Sequence, residues 1–208
     1  MFELDLYNIV YLTFRLLPII LPSYFILSSI FSQDIKGLIY LAGLLIASIV
    51  TIGMGNYLPK IDGFENLFTT GANDNTKLKC NLIALGGNSA VSQVPLSQAV
   101  FAYTFFYIIY IIGKHNDFNK NNLWIQNIPT VVFLGSIVIA DMIWNLTNSC
   151  HTFPAILVSF LTAGTWGVLW AWMIDSSGAV QLQYFNGLSN RTYCTRPSTQ
   201  TFKCSNKR

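Results

Sequence analysis

The sequence predicts an all-α membrane protein: about five transmembrane helices with a small C-terminal extramembrane β-hairpin. Hydrophobic residues make up 52% of the 208 and charged residues only 10%, where an ordinary soluble domain carries about 25% charged residues. Those charges are also unevenly placed. Leu16–Gln33, Gly37–Pro59, Cys80–Gly113, Asn121–Ala140 and Met142–Ile174 contain no Asp, Glu, Lys or Arg, and about 20 residues are enough to cross a bilayer core. Past the last of these runs the pattern switches to alternating apolar and polar residues from Ala179 to Phe185, followed by Asn186-Gly187, the strongest short hairpin signal.

Taken in order, the spans fall at 9–31, 37–54, 95–112, 128–146 and 153–174. The first is the least regular. Its Pro18 and Pro22 remove backbone donors and bend the helix, which a membrane helix tolerates where neighbouring groups satisfy the freed carbonyls. Arg15 lies in its first turns and is expected to snorkel to the interface. Between spans two and three runs the longest loop, 55–94, polar and turn-rich around Gly71-Ala-Asn-Asp-Asn and expected on the membrane surface. The chain thus divides into a helical domain, 1–176, and an extramembrane tail with the hairpin, 177–208.

Lys and Arg in the flanks set the orientation. The face holding the N-terminus, the long loop and the turn between spans four and five carries Lys60, Lys77 and Lys79, whereas the opposite face carries Lys36, Lys114, Lys120, Arg191, Arg196, Lys203, Lys207 and Arg208. The tail face is therefore expected to be cytosolic. Glu3 and Asp5 give the N-terminus an acidic head, unlike a cleaved signal peptide, so span one is expected to stay in the mature protein. A net charge of +3 without a basic stripe argues against nucleic-acid binding. The four cysteines, Cys80, Cys150, Cys194 and Cys204, lack the close pairs of a zinc site. No metal or cofactor is expected, and pairing among the thiols stays open. The sequons at Asn145 and Asn190 sit almost inside span four and on the cytosolic tail, and are read as chance.

Span three begins with Pro95, Leu96, Ser97 and Gln98. Lipid phosphatases of the phosphatidic-acid phosphatase class carry a Pro-Ser-Gly-His box at the start of such a helix, with a second His as nucleophile and Lys and Arg on the phosphate. Here Gln98 stands in place of the His, the only Arg-Pro is Arg196-Pro197 beyond every span, and neither His115 nor His151 has a helical carboxylate partner. No catalytic residue is assigned and the chain is not expected to be an enzyme. Pro95, Ser97 and Gln98 are read instead as a helix entry, with proline where its missing N–H is harmless and polar side chains able to cap free donors.

Asp141 is the residue that resists a bland account, because a carboxylate inside a membrane helix is a functional-site hypothesis by default. Asn145 lies one turn away on the same face. Two uses are open, a polar helix–helix contact made by Asp141 and Asn145 or a proton or ion relay. In span five, Ala163, Gly164 and Gly167 suit close helix packing, and Trp166, Trp170 and Trp172 suit an interfacial aromatic belt.

The order of Cys80, the Pro-Leu-Ser entry into Phe-Ala-Tyr-Thr-Phe-Phe-Tyr, Asp141, Cys150 and the Cys194–Cys204 segment, Cys-x-x-Pro-x-x-Gln-x-Phe-Lys-Cys, resembles a family of small membrane proteins of large icosahedral double-stranded DNA viruses of the algal-virus and mimivirus kind. The resemblance covers 80–205 and is most specific in the tail. It implies a structural protein of the virion internal membrane, held in a host intracellular membrane during assembly, among the minor capsid proteins that link membrane to capsid shell. Its partners would be the lipid bilayer and capsid or other minor capsid proteins, with self-association open. Such viruses encode a thiol oxidase, which makes a disulfide on the cytosolic face acceptable. Pro197 and the Ser-Thr run favour a turn between Cys194 and Cys204, so a disulfide stapling the hairpin is expected, the alternative being two reduced thiols on a disordered tail. Two other functions stay open: a small ion or proton channel or transporter using Asp141, and a degenerate lipid phosphatase-like protein.

Overall fold

A computed structural model describes residues 6–32, 35–61, 63, 65–68, 93–114, 123–179 and 182–183. Among them the fold is all helical: α1 Leu6–Ser32, α2 Lys36–Tyr57, a 3-10 turn Leu58–Lys60, α3 Glu65–Phe68, α4 Leu96–Lys114, α5 Leu123–Thr147 and α6 Phe153–Ser176. Four stretches are long and apolar enough to cross a membrane, Lys36–Lys60, Leu96–Lys114, Asn127–Thr147 and Phe153–Ser176, which makes the chain a membrane protein. In α1 the apolar stretch Leu16–Phe31 is shorter, although the whole helix of 27 residues is about 40 Å long at 1.5 Å per residue. Pro18 and Pro22 lie within it and remove the N–H groups that would bond the Phe14 and Pro18 carbonyls, while the Ser23 hydroxyl donates to the Ile19 carbonyl one turn back at 2.7 Å.

Consecutive long helices run antiparallel, as side-chain contacts near their ends show. Phe25 near the end of α1 meets Tyr40 near the start of α2. Tyr40 in turn meets Tyr107 toward the end of α4. Ser97 at the start of α4 reaches Asp141 toward the end of α5, and the α4–α6 pair runs parallel, with Ser159 bonded to Pro95 at one end and Lys114 3.8 Å from Asp175 at the other. Helix α4 is central and packs most extensively on α6, while α5 touches α4 and scarcely meets α6.

Small residues explain why α6 can lie so close. Ala155, Ser159, Ala163, Gly167 and Ala171 recur at every fourth position and are all buried, giving a smooth stripe of the kind that lets membrane helices approach. A Cβ on Gly167 would stand 2.6 Å from the Tyr103 carbonyl oxygen, so only glycine fits there. Into this approach pack three tyrosines. Ring centroids of Tyr40 lie 5.4 Å from Tyr103 and 5.3 Å from Tyr107, and 4.3 Å from Phe25. Buried tyrosine needs a partner for its hydroxyl: Tyr40 shares a hydrogen bond with the Thr104 hydroxyl, and Tyr103 donates to the Tyr40 carbonyl at 3.2 Å.

Trp170 departs from the expected aromatic belt, since its Nε1 donates to the Ile39 carbonyl at 3.1 Å between helices. Trp166 packs against the core, and only Trp172 is exposed. The tail also differs where it is described. Gly178 takes a left-handed φ of 72°, the Leu182 N–H closes a turn on the Ala179 carbonyl at 2.8 Å, and Gln183 is buried with Nε2 3.4 Å from the Ala171 carbonyl. The alternating stretch expected to begin a strand at Ala179 therefore starts by folding back on α6, where a buried carboxamide finds a backbone acceptor. Asn186-Gly187, and with them the body of the expected hairpin, lie outside the described residues.

Candidate functional site

Polar side chains gather at one end of the bundle, where α4 begins, α5 ends and α6 begins. Asp141, 3% exposed, accepts a hydrogen bond at Oδ2 from the Ser97 hydroxyl of α4 at 3.1 Å and another from Asn145 Nδ2 at 3.2 Å. Asn145 Nδ2 also reaches the Asp141 carbonyl at 2.8 Å, closing the helical turn between them. The structure thus brings Asp141, Asn145 and Ser97 together across the α4–α5 contact. No Lys or Arg pairs with this carboxylate among the described residues.

The helix entry is built differently from expectation. Pro95 stands just before α4, and its carbonyl accepts from the Ser159 hydroxyl of α6 at 2.7 Å and from the Ala99 N–H at 3.3 Å. Ser97 turns to α5 rather than to free donors of its own helix. Gln98 is fully buried, and both polar atoms of its carboxamide lack a hydrogen-bond partner. A buried amide without partners carries a free-energy cost of about 1–3 kcal/mol, so Gln98 does not act as a cap; the side chain of a residue packed on all sides by helices cannot turn back to the helix end.

The α5–α6 turn is a second cluster that the sequence did not single out. After α5 the Cys150 N–H bonds the Asn145 carbonyl at 2.9 Å, with Ser149 in the left-handed region at φ 52°, a C-terminal helix cap of the Schellman kind. Thr152 turns its hydroxyl to the Leu67 carbonyl, and His151 Nδ1 lies 3.0 Å from the Gln93 carbonyl. Burial holds the His151 imidazole below its usual range, opposed by its contact with the Gln93 carbonyl. Phe68, Val94 and Ala155 form a small apolar cluster beneath. Its only advance signal was a cysteine, a histidine and a threonine in succession between two apolar runs.

Among the described residues no three His, Cys, Asp or Glu side chains come together as a metal site would need. His115, Cys80, Cys194 and Cys204 lie outside the described residues, as does the candidate Cys194–Cys204 disulfide. What the cluster at Asp141 can do chemically is bind a proton or hold two helices in register. Comparison with known protein families, with curated proteins and with solved structures finds no match.

Proposed function

We propose that this chain is a structural integral membrane protein without catalytic residues, and that it belongs to the internal membrane of a large icosahedral double-stranded DNA virus, where its tail and loops link membrane to capsid shell. The observation that carries the structural half is the Ser97–Asp141 hydrogen bond: the one carboxylate of α5 bridges to α4, as an interhelical tie does. The viral half rests on the Cys194–Cys204 segment and the order of motifs before it. Purified virions test the reading. The protein should remain with the membrane-bearing particle after detergent-free washing and cross-link through its tail to a capsid or minor capsid protein; its absence from such particles would end the assignment.

A second reading has its own observation. Asp141 is buried with no Lys or Arg beside it among the described residues, and the unpartnered Gln98 carboxamide follows Ser97 directly on α4, so the same polar end could take up a proton or small cation. Purified protein in liposomes under an acid pulse distinguishes the two. A flux above that of empty vesicles, lost in Asp141→Asn, would make the protein a channel or transporter.

A further inference from the structure

Cys150 is disulfide-bonded and 7% exposed, in the turn between α5 and α6. The chain has four cysteines, which leaves Cys80, Cys194 and Cys204 as partners. We propose that the partner is Cys80, so that a disulfide staples the long loop between α3 and α4 to the α5–α6 turn.

Topology decides among the three. Cys194 and Cys204 follow α6, whose 24 residues carry the chain about 36 Å away from Cys150 at 1.5 Å per residue. To come back, a polar tail would have to recross the bilayer without helix or barrel to satisfy its backbone, which hydrocarbon does not allow. Cys80 faces no such barrier. It follows Phe68 by twelve residues and precedes Gln93 by thirteen, and both of those ends are held at the turn: Thr152 bonds Leu67, and His151 meets Gln93. Twelve residues reach up to about 40 Å when extended, so a chain pinned at both ends to residues 151 and 152 has ample length to bring residue 80 to residue 150.

The compartment agrees. The Lys and Arg count puts the long loop and the α5–α6 turn on the non-cytosolic face, where disulfides form and persist. Formation breaks two S–H bonds, makes one S–S bond, and releases two protons and two electrons; a thiol–disulfide oxidoreductase in its oxidised form accepts the electrons by disulfide exchange. The staple rests on the membrane-spanning arrangement alone and holds whether or not the protein belongs to a virion.

A protease site inserted in the 115–122 connection tests it without removing any cysteine. After cleavage of the full chain, unreduced protein should run as one species on a denaturing gel and separate into two fragments on reduction, because Cys80 and Cys150 lie on opposite sides of the cut. Peptide mass spectrometry after alkylation without reductant should find Cys80 joined to Cys150. Fragments that separate without reductant, a peptide joining Cys150 to Cys194 or Cys204, or an alkylated Cys150 would each overturn the proposal. In Cys80→Ser, Cys150 should become fully alkylatable, whereas Cys194→Ser and Cys204→Ser should leave it protected.

Discussion

Replacing Asp141 by Leu and by Asn should separate a tie between helices from any other use of this carboxylate. Leucine keeps the branched shape, with methyl groups somewhat larger than the carboxylate oxygens, and removes the acceptor, whereas asparagine keeps an oxygen that the Ser97 hydroxyl, now 3.1 Å from Oδ2, can still reach. The leucine variant loses both bonds at Oδ2, from Ser97 and from Asn145 Nδ2, but only the first joins two helices, and Asn145 keeps its bond to the Asp141 carbonyl at 2.8 Å. One interhelical hydrogen bond in a membrane protein is worth about 0.6–2 kcal/mol, so Asp141→Leu should shift the folding equilibrium roughly 3- to 30-fold and Asp141→Asn much less. Reversible unfolding in mixed detergent micelles, followed by the fluorescence of the five tryptophans, gives the numbers. A double-mutant cycle with Ser97→Ala should return most of the loss as coupling between the two sites. Zero coupling would refute the tie, and so would an Asp141→Leu variant more stable than the parent, which would mean that the buried carboxylate is retained at a cost for some other purpose.

Packing at the small-residue stripe is testable in the same assay: Gly167→Ala should lose about 1–3 kcal/mol, because its Cβ meets Tyr103 backbone at 2.6 Å and the helices must part, while Gly53→Ala, inside α2 with nothing within 4 Å, should lose nothing and gain up to about 1 kcal/mol from helix propensity. Tyr40→Phe should lose about 0.5–1.5 kcal/mol, a small value because Thr104 keeps its bond to the Val100 carbonyl at 2.7 Å. For His151, burial lowers the proton affinity of the folded state, so the unfolded chain binds more protons near pH 6 and stability rises with pH. Thermal unfolding should be flat above about pH 7 and fall as pH drops below the ordinary histidine range of about 6.5, and His151→Asn should remove that slope.

The helices were legible because membrane solvation leaves little freedom: long charge-free runs must close their backbone bonds within themselves, and the described helices overlap every expected span. Asp141 and Asn145 could be paired from their spacing alone, since residues four apart share a helix face. Ser97 could not, because nothing local in a sequence says which helix lies opposite. The same limit hid the tyrosine core. Tyr40 reads as one aromatic residue in an apolar run until α4 brings Tyr103 and Tyr107 against it, and Trp170 passed for an interfacial residue because its bond to Ile39 joins positions far apart in the chain. Alternation after Ala179 says less for a different reason: a period of two describes a half-buried strand only if a sheet is there to bury it, and of this stretch the described Gln183 finds its acceptor on α6.

The polar end of the bundle also bears on how a charge could travel. A relay needs exchangeable groups in file from one face of the membrane to the other. Ser97, Asp141 and Asn145 begin such a file, but the next layers of the α4–α5 contact are apolar. Phe101, Ile137 and Val138 form a buried cluster, and one turn further Phe105 closes against Gly135, whose Cβ would meet the ring at 3.4 Å. The hydroxyls of Tyr40, Tyr103 and Thr104 lie on the other side of α4, toward α2, and bond to one another and to backbone carbonyls. Among the described residues, a proton arriving at Asp141 would therefore meet two aromatic side chains with no acceptor on this path. With an apolar plug in this position, the cluster is placed to fix α4 against α5 at one end of the bundle, while the tyrosine core fixes α4 against α2 nearer the other. Two such anchors on opposite flanks of the central helix set both its register and its rotation, as the proposed scaffold role needs.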